Sequence, residues 1–321
     1  MAAGWALNHL QALHDLDTRR EIAAEVLRRP RQGVRAEDLA RCLRYAGQVL
    51  SERGERAAAE RLWAELREVV HRSHDVSHAW LATEPDILVA FLDGRLQEAV
   101  AIVDGILSHQ EELGLGGGAG ETEGQRSRAL LLLGGAGDIA LERLPVGGSR
   151  AQLAVRAAVL AHLGRQQEAD AIVAGFTGME SDEDASGTHI LAHTLEVATL
   201  GRDLPKMRAL ARRLEPLAGF PCLRWSFISG GRLLGAAMAV LGEQERARTY
   251  YLQGLEASLA MGNRPEVALV RLHLAELLLE HYPDGKAEAI QHLDFAIGEF
   301  REMKMQPSLE RALKHKGLLT A

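Results

Sequence analysis

The stretch GAAMAVLGEQERARTYYLQG, residues 235–254, decides the fold of this chain. A small residue, Gly235, is followed by a glycine at position 242 and, twelve positions after the first, by Ala247. Small side chains at matched positions let two successive helices approach closely, and a glycine between them takes the positive φ of a helix C-cap. The stretch therefore predicts a hairpin of two closely packed helices.

The same pattern recurs along the chain. It appears as Gly47, Gly54 and Ala59, and again as Ala157, Gly164 and Ala169. Further turns are predicted around Gly94, Gly137, Gly201 and Asp284-Gly285, so that most turns are about 40 residues apart. A helix with one apolar face cannot bury it in a single hairpin, so neighbouring hairpins must stack. We expect an all-α protein, a right-handed α-α superhelix of about seven helical hairpins.

One segment interrupts this pattern and suggests the domain organisation. Residues 113–125 are rich in glycine, which opposes a helix, and predict a mobile loop. No Lys-Ser or Lys-Thr follows the glycines and no strand precedes them, so a phosphate-binding loop is not indicated. We expect N-terminal hairpins in 1–112 and repeats in 126–321, within one continuous solenoid.

Composition narrows the class of protein. Hydrophobic residues make up 47% of the chain but aromatic residues only 4%, which favours helices over strands. The net charge of -7 predicts no direct binding to nucleic acid or to an anionic membrane. Two distant cysteines indicate reduced thiols, and neither a secretory signal nor a membrane-spanning apolar stretch is found. We expect a cytoplasmic location.

The repeats resemble the tetratricopeptide family. Gly235 and Ala247 match the family's small residues in the first and second helix, and Tyr251 matches its aromatic position. The equivalent residues are Gly47, Ala59 and Trp63 in the first hairpin and Ala157, Ala169 and Val173 in the third. Leu66 and Phe176 depart from the family pattern, because a small residue is usual there.

The longer second helices are similar to those of the repeat regions of MalT-like and LuxR-type ATPase regulators and multidomain adenylate cyclases. Their displaced prolines stand at Pro265 and Pro307. No Walker-type Gly-Lys-Ser/Thr and no C-terminal DNA-binding helix-turn-helix is found. The resemblance implies a regulatory binding module and supplies no catalytic residue.

The resemblance also implies a binding surface, because the first helix of each tetratricopeptide hairpin lines a concave groove. The candidate groove residues are Arg44, Gln48, His162, Arg232 and Glu276. Arginine side chains on such a face can hold a peptide carboxylate or backbone carbonyl groups. The alternative is that all five are merely solvated.

Two groups of histidines have spacings that a metal site could use. They are His71, His74 and His78, and His189, His193 and Glu196. Neither has the paired spacing of a structural zinc site, so we expect surface or groove histidines and no metal or cofactor. No nucleophile motif is present either, and the chain is not expected to be an enzyme.

These observations favour a non-enzymatic scaffold or sensor that binds a protein or peptide, as the regulatory region of a bacterial signalling or transcription regulator. Such a protein would have an open groove with unpaired polar side chains. An alternative is a small-molecule effector module, in which a closed apolar pocket replaces the groove. A third possibility is a self-associating repeat protein that forms a homo-oligomer.

Overall fold

The computed structural model describes residues 2–73, 79–112, 119–224 and 226–320, and within these ranges it contains sixteen α-helices and no strand. The helices are α1 (Ala2–His9), α2 (Leu16–Arg28), α3 (Ala36–Glu52), α4 (Arg56–Ser73), α5 (Ala79–Leu92), α6 (Leu96–Glu112), α7 (Ala119–Leu133), α8 (Arg150–His162), α9 (Gln166–Ala174), α10 (Thr188–Gly201), α11 (Leu204–Leu214), α12 (Gly230–Leu241), α13 (Gln244–Met261), α14 (Arg264–His281), α15 (Lys286–Met303) and α16 (Gln306–Thr320). The predicted all-α class is confirmed.

Consecutive helices pair into hairpins at the predicted turns. Six hairpins are described: α3–α4, α5–α6, α8–α9, α10–α11, α12–α13 and α14–α15. Glycines with positive φ end the first helix of four of them: Gly54, Gly94, Gly164 and Gly242. Two short 3₁₀ turns follow α7 where a second helix would stand. Of the predicted loop 113–125, residues 113–118 lie outside the described residues, and 119–125 form the first turns of α7.

The small residues of the repeat pattern are covered by aromatic rings. A Cβ atom built on Gly235 would overlap the ring of Tyr251, and one built on Gly47 would overlap the indole of Trp63. Both rings are buried. The close approach predicted from paired small residues is thus filled by the aromatic side chain sixteen positions after each glycine.

The array of hairpins is curved so strongly that its C-terminal helices pack against helices from its middle. Helix α16 packs on α7 and α14 packs on α5, and one hydrophobic core joins α5–α7 to α14–α16. At this contact Met303 lies against the turn at Gly94, and Lys304 Nζ donates a hydrogen bond to Gln97 Oε1 at 2.9 Å. The first helices of the later hairpins therefore face an enclosed space.

Residues 218–224 and 226–229, between α11 and α12, run through the inside of this closed array, and we name them the inner segment. Described residues of this segment that are deeply buried include Cys222, Ser226 and Phe227. Phe227 has a φ of 58°, in the left-handed region, and stacks on Phe91 with ring centroids 4.4 Å apart. The inner segment also contacts α1 and the start of α14, where Arg224 Nη2 donates to Asn8 Oδ1 and Pro221 O accepts from Asn263 Nδ2, both at 3.0 Å. Over the described ranges, no helix combines the length and apolarity needed to cross a bilayer.

Candidate ligand-binding cavity

A cavity of about 500 Å³, named here the central cavity, lies among α7, α8, α10, α12, α14 and α16. Its inner end is lined by buried apolar side chains, among them Phe91, Phe227 and Leu233. Its outer end is lined by the exposed residues Leu200 and Arg311, which place the mouth there. Most of the lining is apolar, with a few charged groups set into it.

One cluster of polar and charged side chains joins three helices of the inner face, α7, α8 and α10. Arg128 of α7 donates two hydrogen bonds to the carboxylate of Glu196 on α10, at 2.7 and 2.6 Å. His162 of α8 lies between them, with its Nε2 2.7 Å from Glu196 Oε1. Burial raises the pKa of Glu196, but the charge of Arg128 and the interactions with His162 outweigh it and hold that pKa well below its usual value.

A second pair joins the next two first helices. Arg232 of α12 donates from Nη2 to Glu266 Oε1 on α14 at 2.7 Å and from Nε to Oε2 at 2.8 Å. Glu266 also accepts a hydrogen bond from the backbone N–H of Ser229, at 2.7 Å. Burial lowers the pKa of Arg232, but the adjacent carboxylate of Glu266 more than offsets this and raises it.

The third pair lies at the mouth. Arg311 of α16 donates from Nε and Nη2 to the carboxylate of Glu276 on α14, both at 2.5 Å. The same carboxylate lies 3.0 Å from His315 Nε2. Glu276 does not line the cavity, so the carboxylate that binds Arg311 lies outside the cavity wall. A large part of the Arg311 side chain stays exposed to solvent.

These pairs follow a period of 34 residues. His162 comes 34 positions after Arg128, Glu196 comes 34 after His162, and Glu266 comes 34 after Arg232. Equivalent positions on successive first helices therefore stack side by side, as expected for an array of two-helix repeats. We name these residues, Arg128, His162, Glu196, Arg232 and Glu266, the charged ladder.

His273 is the wall residue with an unused polar atom. Its Nδ1 is buried and makes no hydrogen bond with any residue that the structure describes. The imidazole lies 5.5 Å from the ring of Tyr251, centroid to centroid. Burial, followed by the positive charges of Arg311 and Arg232, holds the pKa of His273 well below its usual value. The imidazole is therefore neutral near pH 7.

A much smaller cavity, of about 40 Å³, lies on the other side of Phe227. Arg44 and Gln48 line it, and Arg44 forms an ion pair with Glu84. Arg224 of the inner segment reaches the same cavity, and burial, helped by the charge of Arg19, lowers the pKa of Arg224 to about 10. Phe227 thus divides the inner face into two cavities.

The predicted groove residues are distributed over both cavities. His162 and Arg232 line the central cavity, whereas Arg44 and Gln48 line the small one. Glu276 stands behind the central cavity as the partner of Arg311. Sequence reasoning missed Arg128, Glu266, His273 and Arg311. The available signal was the pair of 34-residue steps from Arg128 to His162 and from His162 to Glu196, which no single hairpin contains.

Among the described residues, the histidine candidates form no site with three metal ligands, although His193 Nδ1 lies 3.6 Å from Glu196 Oε2. His71 is exposed at the end of α4, while His74 and His78 lie outside the described residues. His189 and His193 are buried in α10, and Glu196 is bonded to Arg128. In the part of the chain that the structure describes, no three His, Cys, Asp or Glu side chains lie close enough to hold a metal ion.

Comparison with known proteins finds no family model that matches the chain and no curated protein with significant similarity to it.

Proposed function

We propose that this protein is a non-enzymatic sensor module that binds a small organic effector in the central cavity. The cavity of about 500 Å³ carries this proposal. Ligand pockets have volumes of roughly 300–1,000 Å³ and a mainly apolar lining with a few placed polar groups. The central cavity meets both conditions, because Phe91, Phe227 and Leu233 stand beside the charged ladder.

The arrangement of the inner face favours a small effector over an extended peptide. A peptide in a concave groove would run along the first helices, where the inner segment already lies. Of the candidate groove residues, Arg44, Arg232 and Glu276 are held in ion pairs, whereas a peptide-binding groove would offer unpaired polar groups. What remains accessible is a pocket that one small molecule can fill.

The tetratricopeptide-like repeat pattern supports a regulatory role for such a module. The 34-residue period of the charged ladder equals the length of a tetratricopeptide repeat. We therefore infer a cytoplasmic sensor of the kind found in the MalT-like and LuxR-type regulators, whose effector state would be passed to a protein partner. Homo-oligomer formation stays a prediction, which light scattering after gel filtration would test.

A thermal-shift screen of a metabolite library tests the proposal. Ala236 lines the central cavity, so Ala236→Phe should fill part of it, whereas Ala171→Phe adds the same ring at an exposed site on α9. A compound that raises the melting temperature of the wild type and of Ala171→Phe should fail to raise that of Ala236→Phe. The proposal is contradicted if no compound binds, or if Ala236→Phe responds like the wild type.

A further inference from the structure

We propose that the central cavity takes a monoanionic ligand, whose carboxylate is held by His273 and Arg311 and whose apolar body lies toward Phe91 and Phe227. The proposal rests on the proposed function, because it names the chemical class of the effector. It follows from three features of the wall: an unused donor, the charges around it, and the position of the apolar residues.

The unused donor is His273. Its Nδ1 is buried without a hydrogen-bond partner among the residues that the structure describes, so the imidazole meets the cavity on the side of its other nitrogen, Nε2. A neutral imidazole carries one N–H, and on Nε2 this N–H can donate to a ligand oxygen. The wall thus contains a polar group that a bound ligand would satisfy.

The charges around His273 favour an anion as that ligand. Arg232 and Arg311 both act on the imidazole and lower its pKa, and no carboxylate is among the groups that shift it. Glu276, on the same helix as His273, is bonded to Arg311, and after burial it is the next cause that raises the pKa of Tyr251. Each of the three arginines that line the cavity is paired with a glutamate, but only two of these glutamates, Glu196 and Glu266, line the cavity with them. The cavity surface therefore offers a ligand more cationic than anionic groups.

Arg311 is the guanidinium best placed to bind the ligand. It stands at the mouth with much of its side chain exposed, and its bonds to Glu276 use Nε and Nη2. Since a guanidinium has five N–H donors, donors remain for a ligand carboxylate. The other two arginines hold their glutamates deeper in the wall.

The apolar end of the cavity indicates the chemical nature of the rest of the ligand. Phe91, Phe227 and Leu269 line it and are buried, so they give an aromatic or aliphatic body a dry surface. An aryl or alkyl carboxylic acid combines such a body with a single negative charge.

Isothermal titration calorimetry at pH 7.5 with two matched sets of probes tests the proposal. One set is indole-3-acetate, indole-3-acetamide and tryptamine; the other is octanoate, octanamide and octylamine. Within a set the body is constant and only the charge changes. We expect at least one carboxylate to bind about tenfold more tightly than its amide, the scale of a charge-assisted hydrogen bond, and the amines to bind worst.

Two substitutions assign the effect to this site. Arg311→Met should weaken binding of the carboxylate about tenfold and change binding of the amide less than about twofold, because only the carboxylate loses a charged partner. Glu276 keeps His315 as a partner in this variant. Arg246→Met is the matched control, since Arg246 is also half-exposed and paired with a glutamate, but lies on α13 away from the cavity.

The outcomes separate the two proposals. Equal affinity of acid and amide, or an unchanged carboxylate affinity in Arg311→Met, overturns the monoanion assignment and leaves the cavity as a site for neutral effectors. Binding of none of the six probes overturns the assignment as well, and the metabolite screen with Ala236→Phe then decides the proposed function independently.

Discussion

Two glycines show how little space the hairpins leave between their helices. Tyr251 covers Gly235, and Trp63 covers Gly47, so that neither position has room for a Cβ atom. Gly298 is the contrasting case, because it lies within α15 and has nothing within 4 Å of a built Cβ. The same substitution should therefore have opposite effects at the two kinds of site.

We expect Gly235→Ala to lower the free energy of unfolding by about 1–3 kcal/mol, because the methyl group must displace the ring of Tyr251. Gly298→Ala should raise it by about 0.5–1 kcal/mol, because alanine loses less backbone entropy in a helix. Urea denaturation measures both. Equal destabilisation by the two substitutions would show that steric contact does not govern Gly235.

Buried histidines should make the protein sensitive to mild acid. Burial, followed by the charges of Arg224, His193 and Arg19, holds the pKa of His189 well below its usual value of about 6.5. As the pH falls below 6.5, the unfolded chain takes up a proton that the folded protein does not, so stability decreases. The loss approaches about 1.4 kcal/mol per pH unit for such a group.

Urea midpoints at pH 7.5, 6.5 and 5.5 measure this dependence. His189→Gln should lose less stability between pH 6.5 and 5.5 than the wild type does. His14→Gln changes a histidine whose side chain is largely exposed, and its curve should follow the wild type. If His189→Gln keeps the full pH dependence of the wild type, the acid sensitivity arises elsewhere.

At the scale of helices, buried ion pairs join successive first helices in addition to the apolar packing. The pair of Arg232 and Glu266 joins α12 to α14, and both side chains have little exposure to solvent. Removing one partner of such a buried pair leaves the other charge uncompensated, which costs more than the pair itself contributes. The stacking of hairpins here therefore depends on keeping both partners.

We expect Arg232→Met to lower the free energy of unfolding by about 3–5 kcal/mol. The double variant Arg232→Met with Glu266→Gln should recover part of this loss, because the neutral amide that replaces the carboxylate still accepts the hydrogen bond from Ser229 N–H. Arg165→Met removes a solvent-exposed partner of Glu168 and should leave the urea midpoint unchanged. A double variant less stable than Arg232→Met would contradict this account.

Much of the helical architecture could be predicted from the sequence, because spacing and glycine turns act locally. The spacing of Gly235, Gly242 and Ala247 predicts a hairpin whatever the rest of the chain does. The central cavity is different: Arg128 and Glu196 are 68 residues apart, and Arg311 reaches the wall only because α16 meets α7. Such contacts depend on the rotation accumulated over many repeats.

The inner segment could not be predicted for a related reason. Residues 218–229 have no helical period, so the sequence marks them only as a connection between hairpins. The burial of the described residues from Cys222 to Ser229 follows from the curl of the array, which leaves a space that Phe227 helps to fill. The positive φ of Phe227 shows that packing outweighs the local preference of the backbone.

At the scale of the whole molecule, the contact between the end and the middle of the array should make unfolding cooperative. An open array contacts only nearest neighbours and can unfold from its ends. Here Met303 lies buried against the turn at Gly94, so that α15 and α16 are held by α5–α7. Parts of the chain far apart in sequence therefore support one another.

We expect Met303→Asp to lower the urea midpoint and to broaden the transition or split it in two, because a buried charge opens this contact. Leu259→Asp places the same charge near the end of α13, where the side chain is already about half exposed, and should have little effect. Tryptophan fluorescence and circular dichroism should give coincident curves for the wild type and separate curves for Met303→Asp. Coincident curves for Met303→Asp would show that the closure does not couple the two parts.

The closure of α16 on α7 also limits how this protein can evolve. An open repeat protein can gain or lose a hairpin by duplication or deletion and keep every remaining interface. In this array, one hairpin more or fewer would carry α16 past α7 or leave it short, and would change the cavity between them. The number of hairpins and the shape of the central cavity are therefore tied to each other, and we expect natural variation to occur in the side chains that line the cavity rather than in the length of the array.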